Sequence, residues 1–304
     1  MAPHHTLEGR GPSASRLGFA ALLNLAVLGV EIAGGLGTGS LAVLANAAHL
    51  GGDIGGLALA FWAARLESAP PTARHTYGFG RSGTLAALVN ALILLAMAAG
   101  LGGESVAELW HPHPVAAGPV GGLAMVGLGA NLATALLTVP HASGDLNRRS
   151  VFWHALGDGM ASLAVLLAAG LLAWTRWPGW DAVTGAAIAA WVGWMGIAIA
   201  RESVHILMEG TPAGVEWEAV RQALLEDDAV LEVHHLHIWA LAPDHNALSA
   251  HIRLNDIPLS AGQPLLDRLA SMLSRRFHIE HVTLQLEAGA HPEESCQDPH
   301  EALR

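Results

Sequence analysis

The sequence predicts an α-helical membrane protein with six transmembrane helices, followed by a small C-terminal α+β domain. Three observations carry that reading. Hydrophobic residues make up 52% of the chain and charged residues only 13%, against about a quarter charged in an ordinary soluble domain. Six segments are apolar over the ~20 residues that a helix needs to cross a hydrocarbon core of ~30 Å. Beyond residue 210 these long runs give way to short amphipathic stretches.

The six spans fall at 15–35, 40–65, 82–108, 116–140, 150–175 and 182–207. Gly34-Gly35 with Gly37 and Gly39 separates the first two, and Pro70-Pro71 the second and third. His111-Pro112-His113-Pro114, then Pro140 with Gly144 and Asn147, then Pro178-Gly179 supply the remaining breaks. The first apolar run has no convincing small-residue cleavage site after it and is read as a retained helix. Arg10, Arg16, Arg65, Arg74, Arg81, Arg148, Arg149 and Arg201 gather on one side of this arrangement, and only Arg176 lies on the other. By the positive-inside rule both termini lie in the cytoplasm, and a multi-pass protein of a bacterial inner membrane is expected.

After Gly210-Thr211-Pro212 the spacing of Val215, Ala219, Val220, Ala223 and Leu224 predicts a helix over 213–227. Strands are expected at 229–241, 247–254 and 279–287, with Pro243–Asn246 as a hairpin turn. A second helix is expected at 261–277, carrying Leu265, Leu266, Leu269, Met272 and Leu273 on one side. The order α-β-β-α-β predicts helices over one antiparallel sheet. The resulting division is a tail at 1–14, a membrane domain at 15–210, an α+β domain at 211–288 and a polar flexible tail at 289–304.

The formal net charge of −11 reflects acidic residues after position 200, and no basic, aromatic-interleaved patch points to nucleic acid. Cys296, the single cysteine, excludes an internal disulfide.

Two intramembrane groups carry the chemistry. Span 2 holds His49 and Asp53, and span 5 holds His154 and Asp158. Each pair is separated by four positions, so both members share one helical face. Ionisable groups in a bilayer face a cavity or a partner. Two facing pairs offer two imidazoles and two carboxylates, a donor set that suits tetrahedral Zn²⁺ and whose charge cancels that of the ion. Gly51, Gly52, Gly55, Gly56, Gly157 and Gly159 permit close helix approach.

The run Gly39–Asp53, the stretch Arg74-His75-Thr76-Tyr77-Gly78-Phe79-Gly80-Arg81, the pair His154 and Asp158, Glu209-Gly210-Thr211-Pro212 and His234-His235-Leu236-His237-Ile238-Trp239 together resemble the cation diffusion facilitator family of zinc exporters. The resemblance extends from span 1 to about residue 288. It implies a homodimer with ferredoxin-like cytoplasmic domains and a midmembrane site worked by alternating access, with proton antiport. His49, Asp53, His154 and Asp158 stand at the positions of the family's transport ligands. Zn²⁺ is the implied substrate, with Cd²⁺, Co²⁺, Ni²⁺, Fe²⁺ or Mn²⁺ as alternatives. Proton exchange also follows from the donors, because a metal-bound His is neutral and a bound Asp ionised, so binding releases protons.

The resemblance also implies regulatory Zn²⁺ in the cytoplasmic domain, held by His234, His251 and His281 with Glu287. Strand alternation puts His235 and His237 on one face and His234 on the other. Two departures from the family stand out: Asn46 occupies a position that is often acidic, and of an accessory loop site only His75 remains, beside Thr72 and Phe79. Arg81 and Glu209 match positions that pair in some members. His4, His5, His111, His113, His291, Cys296 and His300 are read as ordinary polar positions.

Readings from other classes have weaker support. An intramembrane metalloprotease needs His-Glu-x-x-His, which the chain lacks, so no enzyme is expected. Gly78, Gly80 and Gly83 fit a dinucleotide motif, but no strand precedes them. A non-transporting metal sensor would not need two ligand pairs at mid-helix.

Overall fold

The computed structural model describes the backbone of residues 14–138, 146–242 and 245–288, and the side chains of 22–136, 156–241, 245–258 and 260–288. Six long helices come first: α1 (Ala14–Thr38), α2 (Leu41–Glu67), α3 (Ser82–Trp110), α4 (Ala117–Thr138), α5 (Leu146–Thr175) and α6 (Gly179–Leu207). Among the described residues, α3, 117–136 of α4, 156–175 of α5 and α6 are long and apolar enough to cross a membrane, and 22–38 of α1 is a shorter apolar stretch. α2 falls below that measure, and Asn46, His49 and Asp53 lie within it.

The breaks follow local chemistry. Gly39 takes a left-handed φ of 69° between α1 and α2, a conformation that costs a residue without Cβ little. Ser40 then caps α2, its Oγ accepting the Val43 N–H at 3.2 Å. Asp181, 2% exposed at the start of α6, completes the cap from another helix. Its carboxylate accepts the Ser40 hydroxyl and the N–H groups of Leu41 at 2.7 Å and Ala42 at 3.3 Å. These are N–H groups that a helix start leaves without an internal partner.

The chain forms two compact units, 1–59 with 89–199 and 60–88 with 200–304. The first has a core of small and branched residues: Val43 on α2, Leu94 on α3, Val120 on α4, Val165 on α5 and Ile188 on α6. The second holds the C-terminal elements α7 (Trp217–Leu225), β1 (Val230–Ala242), β2 (His245–Leu254), α8 (Leu259–Phe277) and β3 (Ile279–Ala288). α7 is shorter than expected; Gly214, at φ 86°, precedes it. Leu265, Leu269 and Leu273 of α8 join Leu224, Leu236, Leu248 and Ile252 in a buried core.

The sheet corrects one expectation. Its order is β1-β2-β3, with β1 and β2 antiparallel but β2 and β3 parallel. The reason is the connection: α8 lies between β2 and β3 and carries the chain back along the sheet, as a parallel crossover requires. The expected turn residues Pro243 and Asp244 lie outside the described residues, and β2 begins at His245.

Candidate metal centre

His49 is 4% exposed and Asp158 6%. The His49 imidazole spans two carboxylates, with Nδ1 3.7 Å from Asp53 Oδ2 on its own helix and Nε2 3.3 Å from Asp158 Oδ1 on α5. One donor atom from each of the three residues lies within 4.8 Å of the others. The indole of Trp191 tilts against the imidazole at 5.5 Å. Gly52 and Gly56 let α2 approach α3, since a Cβ there would press on Leu94 and Asn90. His154 lies one turn before Asp158 on α5, but its side chain lies outside the described residues.

A second group forms on the sheet. His234 of β1 pairs in register with His251 of β2, and Glu287 of β3 reaches both. Its Oε2 is 3.2 Å from His234 Nε2 and its Oε1 2.8 Å from His251 Nδ1. Glu287 is 8% exposed and also accepts the Gln285 amide at 2.9 Å. Burial pushes the His251 imidazole below its ordinary value, with the neighbouring imidazoles adding to the effect, although Glu287 pulls the other way. His251 is therefore neutral at neutral pH, as a metal-ligating imidazole must be.

The strand at this site departs from simple alternation. The register shifts between His234 and His237, and His235 adopts φ 49°. Such a bulge re-aims a side chain. The His235 ring lies 5.7 Å from that of His234 and 5.1 Å from that of His251. His235 therefore joins the cluster that period-2 spacing excluded it from. Its Nε2 and the Nδ1 of His234 are buried without a hydrogen-bond partner among the described residues. Two or three imidazoles and a carboxylate suit Zn²⁺.

His281 is not brought into this group. It is opposite Ala247 in register, whereas Glu287 is opposite Arg253, and its exposed ring meets Tyr77 edge-on at 5.5 Å. Six positions along one strand span roughly 20 Å, too far for a shared ion.

Arg81 and Glu209 do pair, at 3.3 Å, and Arg81 also donates to the Ala240 carbonyl at 3.2 Å. In the α2–α3 loop the His75 ring lies 4.6 Å from that of Phe79, with Nδ1 3.5 Å from Thr72 Oγ1. His113 Nδ1 is 3.9 Å from Glu108. His4, His5, His291, Cys296 and His300 lie outside the described residues.

The cation efflux transmembrane domain matches residues 17–208, and the cation efflux protein cytoplasmic domain matches 212–289. A protein named zinc transporter ZitB from Pectobacterium atrosepticum is 33% identical, over 99% of this chain and 92% of that one. A cadmium, cobalt and zinc/H(+)-K(+) antiporter from Bacillus velezensis is 30% identical over 90% of each chain. The solved metal-bound C-terminal domain of the CzcD transporter from Cuprividus metallidurans is 34% identical, over 24% of this chain and 99% of that one, with a TM-score of 0.22.

Proposed function

Because the chain belongs to the cation efflux family, it is a multi-pass membrane transporter of metal cations, and we propose that it exports Zn²⁺ from the cytoplasm in exchange for protons. The proposed transport site is His49, Asp53, His154 and Asp158. The observation that carries this reading is the approach of His49 to both Asp53 and Asp158 from two helices. Two carboxylates neutralise a dication that has left water, and two imidazoles complete a four-coordinate set.

Alternating access opens this site first to one side and then to the other. With zinc bound, the imidazoles are neutral and the carboxylates ionised; once zinc leaves, the donors are free to take protons. Histidine titrates close to neutral pH, so a modest pH gradient can drive the exchange. The names of relatives support both halves of the proposal, zinc as substrate and a proton as counter-ion. Cd²⁺ is the nearest competing substrate, because the same nitrogen and oxygen donors accept it; Co²⁺, Ni²⁺, Fe²⁺ and Mn²⁺ follow by geometry.

The membrane domain covers 15–210 and the second domain, 211–288, is cytoplasmic, with both termini on the cytoplasmic side of the inner membrane. Regulatory zinc binds at His234, His251 and Glu287, with His235 as an additional donor. Two chains associate through the cytoplasmic domains, a reading supported by the match of that domain to its family. The test is zinc uptake into proteoliposomes under an imposed pH gradient. Uptake that stops when a protonophore collapses the gradient supports antiport. Uptake indifferent to the protonophore contradicts it, and zinc binding with no uptake at all favours a sensor.

A further inference from the structure

Among the described residues, three buried acids of the membrane unit lie outside the metal quartet: Glu31, Glu108 and Asp181. Glu31 of α1 is 2% exposed. Both of its oxygens accept from the Asn46 amide of α2, at 2.9 and 3.0 Å. On the α4 and α5 side it is held close: a Cβ at Gly127 would stand 2.6 Å from Glu31 Oε1 and 3.0 Å from Ser162 Oγ. Ser162 in turn accepts from the Asn131 amide at 3.4 Å. The carboxyl thus sits among neutral amides, a hydroxyl and a glycine, deep in a bundle that belongs in a bilayer, where an ionisable group is costly to keep without a purpose.

Its position relative to the quartet is specific. Asn46 precedes His49 by three positions on α2, and Ser162 follows Asp158 by four on α5, so each neighbour lies one turn, about 5.4 Å, from a metal donor. Among the described residues, the titratable groups whose fields reach Glu31 are Asp158 and His49. Gly127 of α4, where a Cβ would press on Glu31 Oε1, brings no charge.

We infer that Glu31 is a proton-binding carboxyl of the transport cycle, taking up a proton when the metal leaves the quartet and releasing it when the metal binds. The electrostatics fix the direction. An empty quartet presents the negative charge of its two aspartates to Glu31, which favours the neutral acid. A bound dication cancels that charge and favours the carboxylate, which Asn46 is already placed to receive through two N–H···O contacts. One proton bonds to a carboxylate oxygen in one state and passes to water in the other, so mass and charge balance with no further reactant. Opposite charge movements at neighbouring positions couple the two fluxes without Glu31 touching the metal. This inference rests on the quartet being the transport site.

The test counts protons released as zinc is titrated into the full-length protein in weakly buffered detergent near neutral pH. Wild type, Glu31→Gln and His49→Ala are compared. Glu31→Gln keeps the size of the side chain and a hydrogen bond to Asn46. It is expected to bind zinc in the same stoichiometry as wild type but to release about one proton fewer per ion. An equal proton count in wild type and Glu31→Gln overturns the inference while leaving the quartet intact. Zinc bound by His49→Ala with wild-type affinity and stoichiometry instead removes the quartet reading, and this inference with it. If Glu31→Gln does not fold, the double substitution Glu31→Met with Asn46→Leu removes both polar partners together, a change that a buried site tolerates better than losing one. The same loss of about one proton is expected from it, and an unchanged count overturns the inference equally.

Discussion

His49 of α2 and Asp158 of α5 meet with imidazole Nε2 3.3 Å from carboxylate Oδ1, and the same ring reaches back to Asp53 through Nδ1. One imidazole therefore links the two carboxylates. Replacing Asp53 by Asn keeps the size of the side chain and removes one charge, so a bound dication would carry an uncompensated positive charge out of water. Zinc affinity is expected to fall by more than about 100-fold, beyond what loss of an outer-shell partner costs. Isothermal titration calorimetry, with the cytoplasmic cluster disabled by Glu287→Ala, measures it. A change of only a few-fold would mean that Asp53 is not a ligand.

His235 offers a prediction with two opposite signs. Its left-handed φ of 49° costs a residue with a Cβ about 1–2 kcal/mol and a glycine very little. His235→Gly is therefore expected to raise the metal-free stability of the cytoplasmic domain by about 1 kcal/mol. Removing its imidazole is expected to lower the affinity of the same domain for zinc about tenfold. Thermal melts with and without zinc read both. A variant that loses stability in the metal-free state contradicts the first half, and unchanged affinity contradicts the second.

His251 gives the domain a pH dependence. Its folded value lies below the ordinary 6.5, chiefly through burial, so the unfolded chain holds the proton more tightly. Its contribution to stability is complete above the unfolded value and is lost as pH falls through the lower folded value. The metal-free melting temperature should therefore decline on acidification below about pH 6.5, and His251→Gln should flatten that decline. An identical slope in the variant would assign the effect to other groups.

Asp181 holds the start of the helix that carries His49. Replacing it by Ala leaves the Leu41 and Ala42 N–H groups and the Ser40 hydroxyl buried without their acceptor. The expected loss is about 1–3 kcal/mol of stability, read by chemical denaturation, together with slower transport. Asp181→Asn, which keeps one acceptor, should fall between wild type and Ala.

The sequence made the metal-bearing helices legible because helical period is rigid: four positions always return to the same face, so His49 with Asp53 needed no tertiary information. The approach of Asp158 to His49 could be anticipated because two copies of one spacing seek a common ion. The cytoplasmic cluster was half legible. His234, His251 and Glu287 were named from resemblance, but period-2 alternation failed at His235, where a bulge adds a residue that spacing cannot reveal. The resemblance also implies His281, yet strand rise separates it from Glu287 on β3. The parallel pairing of β3 was hidden because it depends on α8 as a crossover. Glu31 carries no spacing signal on its own helix, since its partner Asn46 lies on the next one.

The most direct test of the quartet is zinc uptake by proteoliposomes holding wild type or Asp158→Ala, side by side, under the same imposed pH gradient. Uptake by wild type and none by the variant, with both correctly folded by circular dichroism, is the predicted result. Uptake by Asp158→Ala at the wild-type rate would contradict the assignment of His49, Asp53, His154 and Asp158 as the transport site.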